Sequence, residues 1–169
     1  MSERDHVRAV RIWLGLFAAG LVVAGLTAFP LEYESRLVTD WLHGPGSGFA
    51  HRFPQLAAWL EHAHHGLADS YTHYPFLAYG TDWLAFGHLT IAVAFAGPIR
   101  DPVRNKWVVQ FGMIACIMVI PMALISGPLR GIPAFWTPID MSFGVVGLIP
   151  LLMAHRHIRA LERHAQQRL

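Results

Sequence analysis

The chain has 169 residues, 54% of them hydrophobic and 14% charged, with a formal net charge of +2. Soluble domains carry about 25% charged residues, so an ordinary soluble domain is excluded. The small positive balance reads as a membrane-topology signal, with no nucleic-acid patch behind it.

The first element is "IWLGLFAAGLVVAGLTAFPL", Ile12 to Leu31, twenty residues without a charge. That length crosses a hydrocarbon layer of ~30 Å. It exceeds the ~7–15 apolar residues of a cleaved signal, and no Ala-x-Ala-like site precedes "PLEYE", so it reads as a retained anchor. A more polar insert, residues 32–81, follows. In it "ESRLVTDWL" predicts a short helix, and "GPGSG" (Gly44 to Gly48) a flexible turn. From Pro54, a favoured first helical residue, "PQLAAWLEHAHHGLADSYTHY" reads as a helix up to Pro75.

Three more apolar runs complete the chain: residues 83–99, 107–125 and 138–154. Thr81 and Asp82 are placed to cap the second run. Asp101 with Pro102, and Thr137 with Pro138, do the same for the third and fourth. Pro121 and Pro150 fall inside helices and bend them. "AGPIRDPV" and "SGPLRGIP" close the second and third runs, either as Gly-Pro helix stops with a favourable Arg or as an inverted repeat. The expected fold is all-α: one integral membrane four-helix bundle, residues 1–169, with an extracytoplasmic amphipathic helical insert between helices one and two.

Orientation follows from the basic residues. Arg4, Arg8, Arg11, Arg100, Arg104, Lys106, Arg156, Arg159, Arg163 and Arg168 flank one side, against Arg36, Arg52 and Arg130 on the other. Positive charge favours the cytoplasm, so both termini are expected there, as in a bacterial inner-membrane protein. Trp13, Tyr33, Trp83, Trp107 and Trp136 lie near run ends, where an interfacial aromatic belt belongs. Cys116 is the single cysteine, so it has no internal disulfide partner and reads as a small core residue.

Eleven histidines are present, four of them in "EHAHHGLADSYTH", residues 61–73. On a helix, His62, His65, Asp69 and His73 share one face, and imidazole with carboxylate suits zinc or copper. The competing reading uses the same wheel. Leu56, Leu60, Ala63, Leu67 and Tyr71 form the opposite, apolar stripe, so a helix lying on the membrane would turn the histidines to water. Solvated faces favour Lys and Glu over His, which keeps the metal reading in play. His64 lies on the flank of the stripe.

Within the apolar runs, His88 is either functional or hydrogen-bonded across a helix interface. Asp140 shares a face with Gly144 and Gly147, yet "TPID" also reads as a capping box with Thr137. Arg130 can pair with Asp140 or hold an anionic headgroup. Charge-based topology puts His88, Asp82, Asp140, Arg130 and the histidine stripe on one membrane face.

The expected function is therefore binding of zinc or copper on the extracytoplasmic face by His62, His65, Asp69, His73 and His88. A carrier, a sensor or a zinc-dependent membrane hydrolase with Asp82 or Asp140 as general base would fit. A non-catalytic accessory or assembly subunit is the alternative, with the bilayer, a membrane-protein partner or a second copy as its surroundings. A b-type haem protein is a lesser one, since axial ligation needs paired imidazoles.

Overall fold

The computed structural model describes residues 2–166; Arg168 of the orientation argument lies outside them. Every regular element among the described residues is helical: α1 Glu3–Ala28, α2 Leu31–His43, α3 Ser47–Arg52, α4 Pro54–His73, a 3-10 turn Pro75–Ala78, α5 Tyr79–Ala94, α6 Ala96–Arg100, α7 Lys106–Leu129 and α8 Thr137–Gln166. Four stretches are long and apolar enough to cross a membrane: Glu3–Ala28, Pro75–Arg100, Lys106–Leu129 and Thr137–Gln166. Each overlaps one of the four apolar runs, though with other bounds: the first starts at Glu3 rather than Ile12 and stops at Ala28. Large apolar side chains such as Ile117, Met118, Met122 and Ile125 are mostly exposed on them. In water such a surface would be untenable, whereas lipid covers it at no cost. The chain folds as two compact units, one made of the residues up to Gly20 with those from Ile91 onward, the other of Leu21–Thr90.

In the first unit α7 and α8 pack along a seam of small residues. A Cβ on Gly144 would run into the Cys116 carbonyl oxygen, and one on Gly147 would stand 3.0 Å from Cys116 Sγ. Removing the side chain lets the two backbones touch, the usual device for joining helices where lipid supplies no hydrophobic drive. Cys116 is buried there and free, as a core residue. Gly112 leaves room in the same way for Phe95 and Leu151. Val10, Leu14, Phe95, Val109, Leu151, Ala154 and Ile158 complete the core with no exposed surface.

The fourth apolar run ends at Ala154, yet α8 continues to Gln166. Its extension is amphipathic: Ile158, Ala160 and Leu161 are buried, while Arg156, Arg159 and Arg163 face out. Lys106 Nζ donates to both carboxylate oxygens of Glu162 at 2.9 and 2.8 Å, tying the start of α7 to this extension. Arg11 Nε donates to the Ile99 carbonyl, 3.1 Å away.

In the second unit α2 packs against α4, with α3 between them in sequence. The turn read as flexible is tightly built. Gly46 N donates to Trp41 O (2.7 Å), and a Cβ at Gly46 would come within 2.5 Å of the Trp41 indole. Glycine is there because the indole needs the space. Trp41 then meets Phe49, and Phe49 meets Phe53. Gly25 of α1 is similarly close to Leu89 and Ala85 of α5.

Helix starts depart from the expected caps. The 3-10 turn after Pro75 feeds directly into α5, so Thr81 and Asp82 lie in its first turn, and Thr81 Oγ1 donates back to Ala78 O (2.7 Å). Asp101 Oδ1 accepts from Arg104 N (3.1 Å), capping a turn that precedes α7. At α8 the Asp140 amide already donates to Trp136 O (3.2 Å), so the helix begins before Thr137 can act as a cap.

Candidate metal-binding face

Helix α4 is amphipathic as its wheel implies. His62, His65, Asp69 and His73 are exposed, whereas Leu56, Leu60, Ala63, Leu67 and Tyr71 are partly covered and Ala57 is buried. The covering comes at least in part from α2, through two polar contacts. Ser35 Oγ gives its proton to Glu32 O (2.7 Å), so it must accept from His64 Nδ1, 3.0 Å away. His43 Nε2 stands 3.1 Å from Glu61 Oε1. These cross-helix contacts were not visible in sequence, because they depend on where the α3 turn returns the chain.

On the outward face the structure brings Asp69 and His73 together. His73 Nδ1 lies 2.9 Å from Asp69 Oδ1 and 3.2 Å from Asp69 O. Both partners are acceptors, so Nδ1 carries a proton, and in the neutral ring the lone pair is left on Nε2, on the far side of the ring from Asp69. That is the tautomer a metal takes, with the carboxylate as the outer partner that orients the ring. His62 leans on Trp59 (ring centroids 5.6 Å apart) and His65 on His64 (5.9 Å).

Helix geometry limits what this face can hold. At 1.5 Å per residue, His62 and His73 are ~16 Å apart along α4, too far to share one ion. By axial position the four residues fall into two pairs, the candidate half-sites His62 with His65 and Asp69 with His73, and the second of these pairs is in contact. Among the described residues no three His, Cys, Asp or Glu side chains stand together around one point.

The remaining candidates are placed separately. His88 is partly buried, and its Nδ1 donates to Leu84 O of its own helix (2.8 Å), which leaves Nε2 as a free acceptor. Asp82 lines a cavity of about 310 Å³ with Phe29, Tyr79, Trp83 and Phe86, a carboxylate in aromatic surroundings. Asp140 is partly buried in the first turn of α8, where the positive end of the helix favours a carboxylate. Arg130 is exposed and closes α7 through its amide, bonded to Ser126 O and Gly127 O. Among the described residues it makes no ion pair with Asp140. His155 Nδ1 is buried with no hydrogen-bond partner among them.

Comparison with protein-family models, curated proteins and solved structures finds no significant match. The fold itself defines the class: a small all-α polytopic membrane protein.

Proposed function

We propose that this membrane protein binds zinc or copper through the histidine face of α4, on the extracytoplasmic side. The observation that carries the reading is the Asp69–His73 pair, which holds the ring by Nδ1 and leaves the lone pair on Nε2. Each half-site supplies two positions at most, and a structural zinc takes four ligands. A second copy, presenting the same face across a two-fold axis, supplies the rest. His62 with His65 would form one four-histidine set. His73, oriented by Asp69, would form the other, with water completing it. Bound this way, metal controls association, which suits a sensor or a carrier better than a hydrolase. His88 adds a free Nε2 in the adjoining helix, and Asp82 is the carboxylate placed to serve as a base if chemistry occurs.

Size-exclusion chromatography with light scattering, on detergent-solubilised full chain, tests this. Zn²⁺ should convert monomer to dimer, and His62→Ala/His65→Ala should weaken that response by at least ~100-fold. The scattered arrangement of the donors favours a second reading, an accessory subunit whose histidines are a solvated face. That reading gains if zinc leaves the wild-type mass unchanged.

A further inference from the structure

His6, His155, His157 and His164 lie in the other unit, away from α4, and three of them meet. His6, at the end of the first turn of α1, has its ring against those of both His157 and His164 on the extension of α8. The His6 ring centroid is 5.2 Å from that of His157 and 5.8 Å from that of His164. His6 Nδ1 and His157 Nδ1 are only 2.9 Å apart, although 151 residues separate them in sequence. All three rings are partly buried.

We infer that His6, His157 and His164 form a second site for a borderline transition-metal cation, zinc in the first instance, which pins the start of α1 to the extension of α8.

Geometry and ligand chemistry both support the site. Two imidazoles on one tetrahedral zinc, with Zn–N of ~2.0–2.1 Å, hold their nitrogens ~3.4 Å apart and their centroids ~5.2 Å apart. The His6–His157 centroids already stand at 5.2 Å. Their Nδ1 atoms share a hydrogen bond at 2.9 Å, so the ion takes the place of that shared proton, which moves to the far nitrogen of its ring, and the two Nδ1 atoms open by roughly half an ångström. His164 Nδ1 donates to Ala160 O at 2.7 Å, so its Nε2 carries the lone pair. A backbone carbonyl holding the far ring nitrogen is the usual outer support of a metal-bound histidine. His157 and His164 are seven residues apart, two turns of one helix, and the His6 ring meets both from the facing helix. The three rings do not yet surround a single point. Closing the set requires the His164 ring to turn about its side-chain torsions, with water as the fourth ligand. Asp5, next to His6 in sequence, is engaged with the Ser2 amide at 2.8 Å, and Glu162 is engaged with Lys106. The proposed donors are neutral imidazoles, which selects zinc, copper or cobalt over calcium or magnesium.

The test uses full-length protein in detergent, with the α4 face silenced by His62→Ala/His65→Ala/His73→Ala, and Co²⁺ as a visible probe. One equivalent should bind with the absorption of low-symmetry, near-tetrahedral cobalt, and Zn²⁺ should displace it. His6→Phe keeps the ring packing and removes the nitrogens, and should weaken binding at least ~100-fold. His164→Ala, which loses an own-helix bond and the ring contact with His6 but leaves the His6–His157 contact in place, should weaken it at least ~10-fold and serves if His6→Phe does not fold. Zn²⁺ should also raise the thermal midpoint of the silenced protein, and His6→Phe should abolish that rise. No bound cobalt in the silenced protein, or cobalt retained undiminished in both variants, overturns the proposal. Either result leaves the α4 reading standing, because the dimerisation measured for that face does not depend on His6.

Discussion

Gly144→Ala adds one methyl group at the closest point between α7 and α8. The new Cβ would collide with the Cys116 carbonyl oxygen and stand 3.1 Å from Val119 Cβ. Backbone cannot rotate away, so the helices must separate. Overpacking of this kind costs ~1–3 kcal/mol, and the upper half applies where backbone is struck. Alanine recovers up to ~1 kcal/mol of helix propensity. The expected net loss is about 1–2 kcal/mol. Gly15, with nothing within 4 Å of its would-be Cβ, is the control: Gly15→Ala should be neutral or slightly stabilising. Gly147 gives a sharper comparison, since its Cβ would meet the Cys116 sulfur at 3.0 Å rather than backbone. Cys116→Ala removes that sulfur, so it should relieve Gly147→Ala and leave Gly144→Ala unrelieved. Thermal unfolding in detergent, followed by helical circular dichroism, measures wild type, the four single variants and the two glycine variants combined with Cys116→Ala. Gly144→Ala as stable as wild type, or equal relief of both glycine variants by Cys116→Ala, would refute the packing.

Three further outcomes are expected. In a Cys116→Ala background, a membrane-impermeant thiol reagent applied outside should label Ser47→Cys and spare Gln166→Cys; the reverse would put the α4 face in the cytoplasm. Asp69→Asn should lower zinc affinity of the α4 face ~10–100-fold, because the ring of His73 loses its charged orienting partner, while unchanged affinity would make the pair a surface contact. Asp140→Asn should cost no more than ~1 kcal/mol, the scale of a carboxylate at a helix N-terminus, and should leave metal binding alone; a tenfold loss of affinity would bring Asp140 back into the site.

The membrane helices were legible because lipid imposes a length and a composition that hydropathy reports directly. The Gly144/Gly147 face was legible for a related reason, since small residues at helical spacing mean close approach whatever lies opposite. The two sides of α4 also followed from periodicity alone. Other features depended on how distant segments return. His6 meeting His157 requires the whole chain between them to be placed, and only the two-turn spacing of His157 and His164 hinted at a shared face. Gly46 looked like a source of flexibility, when its role is to admit the Trp41 indole. The start of α5 was misplaced because a proline at residue 75 ended one helix and opened a 3-10 turn that runs into the next. The four α4 candidates shared a face as expected, but angular spacing ignores rise. The distance along the axis is what splits them into two pairs.

The most direct measurement of the central claim is zinc stoichiometry of the α4 face by equilibrium titration. It is made in a His6→Phe/His157→Ala background, so that metal at the other end does not contribute. Saturable zinc binding, coupled to dimerisation and lost in His62→Ala/His65→Ala/His73→Ala, is the expected result. Substoichiometric zinc that is the same with and without those three histidines would contradict it.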